Sequence, residues 1–233
     1  MKRLIWAPLL LAAAGSTLLL ASCSGSESGP GEKMTETEFE TKIAATIVFD
    51  PALLRTGDRV VYFVKRAGEN QTQTYNWTAV AEEPGAVWIE NKVPFDPRPM
   101  IVKTKIERGG KVLEQWIGEP GGIPGQTYPS RRQNGNEPEP KRDSQSAKAD
   151  SKEVPDRIVV GGHTYDCTRV TTSLAYPDGR KSTMINWFSK EVPFAVSPAL
   201  GGLVKRQFGK LSMELVTGDR NGKSELVIPP TQK

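Results

Sequence analysis

Short runs in which apolar and polar residues alternate fill most of this chain, and turn residues separate them. Arg59–Lys65 (RVVYFVK) is β-branched and aromatic and follows Gly57-Asp58. Thr74–Val80 alternates, Ala86–Glu90 follows Pro84-Gly85, and Met100–Glu107 and Lys111–Ile117 flank Gly109-Gly110. The pattern returns in Arg157–Val160, in Tyr165–Leu174 after Gly161-Gly162 and in Thr183–Phe188 after Asp178-Gly179. It continues through Leu203–Phe208, Leu211–Val216 and Ser224–Ile228. Period-two alternation in runs this short, with glycine pairs at the breaks, predicts about ten or eleven hairpin-connected antiparallel strands.

Ahead of the strands, Thr35-x-x-Glu38 reads as a capping box, and Phe39, Ile43 and Ile47 recur at helical spacing. The spacing predicts one amphipathic helix of about three turns, ending before Asp50-Pro51. The expected fold is therefore α+β and mainly β, an antiparallel meander forming an open half-barrel with an N-terminal helix. Two stretches break the pattern. Residues 23–34 are small, polar and glycine-rich, as suits a flexible tether. Residues 119–153 hold only Ile123 and Tyr128 as large apolar residues, which predicts a long mobile loop interrupting a single domain at 35–233. Arg131-Arg132 and Lys141-Arg142 lie in that loop, but Glu137, Glu139, Asp143 and Asp150 interleave with them, so a solvated linker is the better reading.

An internal echo links the two halves. Trp88 to Phe95 and Trp187 to Phe194 share W-x4-V-P-F, and Val102-Lys103 is echoed by Val204-Lys205. The reading is a strand ending in Trp, a proline-bounded corner and a strand beginning Val-Lys in each half. Trp88, Trp187, Phe95 and Phe194 are accordingly the candidates for lining a cavity on a concave sheet face, with core packing as the plainer alternative.

The first 22 residues change how charge is read. Met1-Lys2-Arg3 is a basic start, and the stretch that follows is apolar through most of its length and ends in small residues, the layout of an export signal at 1–22. Leu20-Ala21-Ser22-Cys23 resembles a bacterial lipobox. The resemblance implies a mature chain beginning at a lipid-modified Cys23 and held on the membrane by acyl chains. Ser24, where an Asp would favour inner-membrane retention, implies the periplasmic face of the outer membrane in a diderm host. The formal charge of +4, from 31 Lys and Arg against 27 Asp and Glu, loses Lys2 and Arg3 with the signal. The remaining 29 basic and 27 acidic residues make a poor nucleic-acid surface.

Candidate chemistry is sparse. One His and two Cys exclude most multi-ligand zinc sites, and no phosphate loop, nucleophile elbow or calcium loop is present. His163 falls beside a turn. Cys167 lies in Tyr165-Asp166-Cys167-Thr168-Arg169, where alternation suits a buried, inert strand thiol. A hydrolase built on either would need it in a cleft beside a carboxylate. No cofactor is expected.

Taken with Gly57-Asp-x-Val-x-Tyr62, Trp187-Phe-Ser-x-Glu-Val-Pro193 and Gly201-Gly-Leu-Val-Lys205, the strand order resembles the half-open barrel of the lipoprotein-localisation (Lol) carriers and related envelope lipoproteins. The resemblance implies a non-enzymatic, lipid-anchored envelope protein that holds a lipid or other apolar ligand in a concave sheet. The alternative is a structural or adaptor lipoprotein with a solid core, its 119–153 loop reaching an envelope partner.

Overall fold

The computed structural model describes residues 47–94, 98–122, 124–128, 148–176 and 179–227. Among them are eleven strands: β1 Arg59–Arg66, β2 Thr72–Glu83, β3 Ala86–Val93, β4 Met100–Glu107, β5 Val112–Gly118, β6 Gly125–Tyr128, β7 Lys148–Val160, β8 His163–Ala175, β9 Lys181–Ser189, β10 Gly202–Phe208 and β11 Leu211–Asp219. All lie in one antiparallel sheet of order β6-β5-β4-β3-β2-β1-β11-β10-β9-β8-β7, open at β6 and β7. Two meanders of sequence neighbours are thus joined where the first strand of one lies beside the last strand of the other.

The turn chemistry explains the local hairpins. Gly161 and Gly162 take φ of 59° and 81° between β7 and β8, the double left-handed conformation that a two-residue hairpin loop of type I′ requires. Register shifts interrupt the ladders at Val61/Tyr62, Ala79/Ala81, Lys105/Ile106, Gln115/Trp116 and Leu203/Lys205, and bulges of this kind bend and twist a sheet.

Alternation decides which face is buried. Val60, Tyr62 and Val64 of β1 share a face with Tyr75, Trp77 and Ala79 of β2, Val87 and Ile89 of β3, and Leu211, Met213 and Leu215 of β11, and all belong to one cluster of buried residues. Two connecting segments contribute to the same cluster. One is the stretch from Ile47 to Leu54, with its single 3-10 turn at Pro51–Leu53. The other is the corner after β9, through Val192, Phe194 and Val196. The segments bind each other: Asp50 N donates to Ala195 O at 2.8 Å, and Phe49 meets Phe194 edge to face at 5.4 Å.

Three expectations need correction. Ser224–Ile228 is not a strand over the residues described: 221–227 run beside the sheet without joining it, because the Glu225 and Leu226 N–H groups bond to the Glu90 side chain instead of to a neighbouring backbone. The 119–153 loop is shorter than its composition suggests, since β6 and the first six residues of β7 fall inside it. Those β7 residues are exposed on an edge strand, so burial imposes no apolar alternation, and backbone pairing from Lys148↔Ala175 to Glu153↔Val170 orders them. The echo, finally, does not mark equivalent positions. Trp88 is near the start of β3, which runs on to Val93, whereas Trp187 is near the end of β9, and Val192-Pro193-Phe194 forms the corner beyond it. The expected helix, from Thr35 to before Asp50, lies outside the described residues up to 46, and its last expected residues, 47–49, are not helical; the remainder of the loop at 129–147 also lies outside the described residues.

The corner is held by a close backbone approach. Gly201 sits at φ 79°, and a Cβ there would lie 2.0 Å from Ser189 O. Gly201→Ala is expected to lower unfolding free energy by more than about 2 kcal/mol, from left-handed strain plus backbone clash. Urea unfolding followed by Trp fluorescence checks this, and a loss too small to resolve would show that the corner yields freely.

Candidate functional site

Three of the residues proposed to line a cavity are described, and they lie on two different faces of the sheet. Trp187 joins the buried cluster, its Nε1 donating to Asp156 Oδ2 at 2.9 Å. Phe194 is also in that cluster, 2% exposed, with a left-handed φ of 59°. Trp88 projects from the other face of β3, opposite Ile89. Its Nε1 donates to Glu83 Oε1 at 2.6 Å, and the Lys105 and Lys103 ammoniums lie 5.5 and 5.9 Å from the ring centroid, within cation–π range. Phe95 and Cys23 lie outside the described residues.

A cleft does exist, at the end of β9. It has a volume of about 290 Å³ and lies between Cys167 and Thr168 of β8, Phe188 and Ser189 of β9, and the corner residues Glu191 and Leu200. Antiparallel pairing brings these elements together: Thr168 is opposite Phe188, so Cys167 reaches the level where β9 ends and the chain turns away. Asp166 and Lys190 also line the cleft.

Cys167 therefore meets the geometric condition for a reactive thiol, a cleft with carboxylates beside it. Electrostatics opposes it. Burial first, and then the charges of Asp156, Glu191 and Asp166, push the thiol up to about 11, whereas a nucleophilic cysteine needs positive neighbours that pull it down. The neighbouring charges are engaged elsewhere. Asp156 is held below the usual carboxylate range by the Trp187 N–H, the Arg157 backbone N–H and Arg169. Asp166 pairs with Arg157 at 2.6 Å, which raises the guanidinium further. His163 Nε2 lies 3.2 Å from Glu191 Oε2, and its ring packs edge to face on Tyr165 at 4.4 Å. The cleft holds a thiol of raised pKa beside the Asp166–Arg157 and Glu191–His163 pairs.

A second polar centre carried no motif in the sequence. Glu90 of β3 and Lys103 of β4 are cross-strand partners on the face opposite the core, their carboxylate and ammonium 3.1 Å apart with side chains 5% and 11% exposed. Glu90 lies at the polar end of the apolar run Ala86-Val-Trp-Ile89. That position hints at a charge with a purpose, but only the β3–β4 register identifies its partner. A third polar group is buried within the core: Arg206 Nε donates to Asn186 Oδ1 at 2.7 Å, and desolvation pushes the guanidinium down to about 10.

No family model matches this chain, and no curated protein matches it. Among solved structures, a Bacteroides fragilis protein classed as exported, with a YMCC-like fold, is similar at 12% identity. The alignment covers 72% of this chain and 97% of that one, with a TM-score of 0.30. The functional reading rests on this chain's own residues.

With its pKa near 11, Cys167 is about one part in a thousand thiolate at pH 8, against roughly a quarter for an ordinary cysteine. In a folded chain lacking residues 1–23, alkylation by iodoacetamide is expected to run at least about 100-fold slower than in a Cys167 peptide, and to rise about tenfold per pH unit toward 11. Mass spectrometry of the modified fraction measures both. Alkylation at peptide rate at pH 7 would reopen the nucleophile.

Proposed function

We propose that this chain is an exported lipoprotein, processed before Cys23 and anchored by acyl chains, whose sheet domain acts as a non-enzymatic adaptor by binding another envelope component. The observation that carries the adaptor reading over a lipid carrier is the packing of the core face: Trp187 and Phe194 are built into the same buried cluster as Tyr62, Trp77 and Met213. An acyl-chain carrier needs an apolar hollow, and the cleft beside Cys167 is rimmed by Asp166, Lys190 and Glu191. Ser24 favours the periplasmic face of the outer membrane in a diderm host.

The edges of the sheet fit a protein that meets its partner through a face. From the Val160↔His163 pair that closes the hairpin, bonded and non-bonded pairs alternate, so Pro155↔Thr168 is a non-bonded pair and Pro155 puts its missing N–H at the free edge. With Lys148, Asp150, Lys152 and Glu153 alongside, β7 is poorly suited to adding a strand.

Two measurements test the proposal. Growth with labelled palmitate should label the wild-type protein and leave Cys23→Ser unlabelled; equal labelling overturns the anchor. Native mass spectrometry of the chain without residues 1–23, after incubation with bacterial phospholipid vesicles and repurification, should show the mass of the protein alone. A retained lipid would overturn the adaptor reading in favour of a carrier.

A further inference from the structure

Residues 220–227 leave β11 and cross the outer face of the other meander, and their bonds are unlike those of the strands. Gly222 N donates to Gly57 O at 3.0 Å, where a Cβ on Gly222 would lie 2.4 Å from Thr78 Cγ2. Three residues on, the Glu90 carboxylate accepts from Glu225 N at 2.7 Å, from Leu226 N at 3.2 Å and from the Ser224 hydroxyl. Lys103 Nζ donates to Ser224 Oγ at 2.8 Å and to Leu226 O at 2.7 Å, and Lys92 pairs with Glu225 at 2.6 Å. Leu226 is fully buried, its Cδ1 lying 3.1 Å from where Gly118 would carry a Cβ, while Val227 is 80% exposed.

These contacts describe recognition of a backbone segment that pairs with no strand. A carboxylate reads two successive backbone N–H groups, an ammonium reads the hydroxyl and a carbonyl, a lysine reads an acidic side chain, and a side chain is missing at Gly118 where an aliphatic one seats. Thr78↔Glu90 and Glu90↔Lys103 are register pairs, so the side chains that grip the segment stand on a rigid three-strand platform. The segment itself contributes no ladder pair. We infer that residues 220–227 act as a displaceable strap over a peptide groove on the outer face of β2–β5. In the open state the groove takes a segment of a partner protein with the same order of groups: hydroxyl, acidic, aliphatic.

The inference deepens the adaptor reading by naming its recognition surface, and its test requires neither export nor acylation, so its failure leaves the Cys23 reading standing. The probe is a fluorescent peptide with the sequence of residues 221–227, NGKSELV. A chain ending at Arg220 should bind it at least tenfold more tightly than the full-length chain does, and Glu90→Gln in the truncated chain should weaken binding at least tenfold. A truncated chain with native circular dichroism that does not bind, or equal binding by the full-length chain, overturns the inference. Hydrogen exchange in the full-length chain gives a readout that needs no truncation. The Glu225 and Leu226 amides should exchange at least tenfold faster than the paired amides of β3 and β4, and faster still in Glu90→Gln with β3 unchanged. Exchange of strap and strands at one common rate overturns it. Dimerisation of the truncated chain with full-length chains would assign the groove to a second copy and overturn the partner assignment.

Discussion

Everything in this fold depends on one ladder, β1 against β11. Each other strand pair joins sequence neighbours through a hairpin, a corner or a short connection and can form locally, whereas β1–β11 joins the opening strand of one meander to the closing strand of the other. Loop-closure entropy grows only logarithmically with length, but it must be met before the contacts reward it, so this pairing is the slow and decisive one. The reward is concentrated there. Tyr62, Val64, Met213 and Leu215 are buried on the two strands, and the Tyr62 hydroxyl reaches across to Leu203 O, 141 residues away, at 2.7 Å. Burial keeps this phenol protonated, raising its pKa more than the Arg206 charge lowers it.

The joint also decides what each face of the sheet can do. Once β1 and β11 pair, their apolar faces form one surface, and the Ile47–Leu54 segment and the Val192–Val196 corner supply the apolar side chains that complete its cluster. The face is consumed by the fold itself. The opposite face carries Phe63, 41% exposed, and the Lys205–Glu214 pair at the centre, with the charged platform of Glu90 and Lys103 farther along β3 and β4. In the proposed reading, recognition falls to this outer face.

The sheet is legible because hairpin grammar is local. Met100–Glu107 coincides with β4, and Arg59–Lys65 falls one residue short of β1, since β-branched runs and glycine turns specify such elements without outside help. The meander order follows from the same local signals. What local pattern cannot carry is long-range pairing: nothing in Arg59–Arg66 or Leu211–Asp219 names the other. Ser224–Ile228 (SELVI) has the composition of a strand, but the destination of its described part is set by Glu90, 134 residues from Ser224. Trp88 and Trp187 share a motif, but the place of each is set by strand position, one on the outer face and one in the packed cluster. In the same way, the cleft at Cys167 needed the register of β8 against β9 before it could be seen.

The buried Glu90–Lys103 pair explains why a strap held this way can be both specific and reversible. Burying an ion pair costs several kcal/mol per ion in desolvation, and the cost is recovered only if the remaining lone pairs and protons are satisfied. With the strap closed they are: Glu90 accepts from two amides and a hydroxyl, and Lys103 donates to a hydroxyl and a carbonyl. With the strap open, the pair faces water and the penalty disappears. Closure therefore gains from seating Leu226 and from the charge-assisted hydrogen bonds, and gives back part of that in desolvating the two charges. A segment that placed its donors wrongly would incur the desolvation without the bonds. A hydrophobic pair at 90 and 103 would hold any greasy strand; a carboxylate and an ammonium hold only a segment whose N–H groups and aliphatic side chain arrive in register.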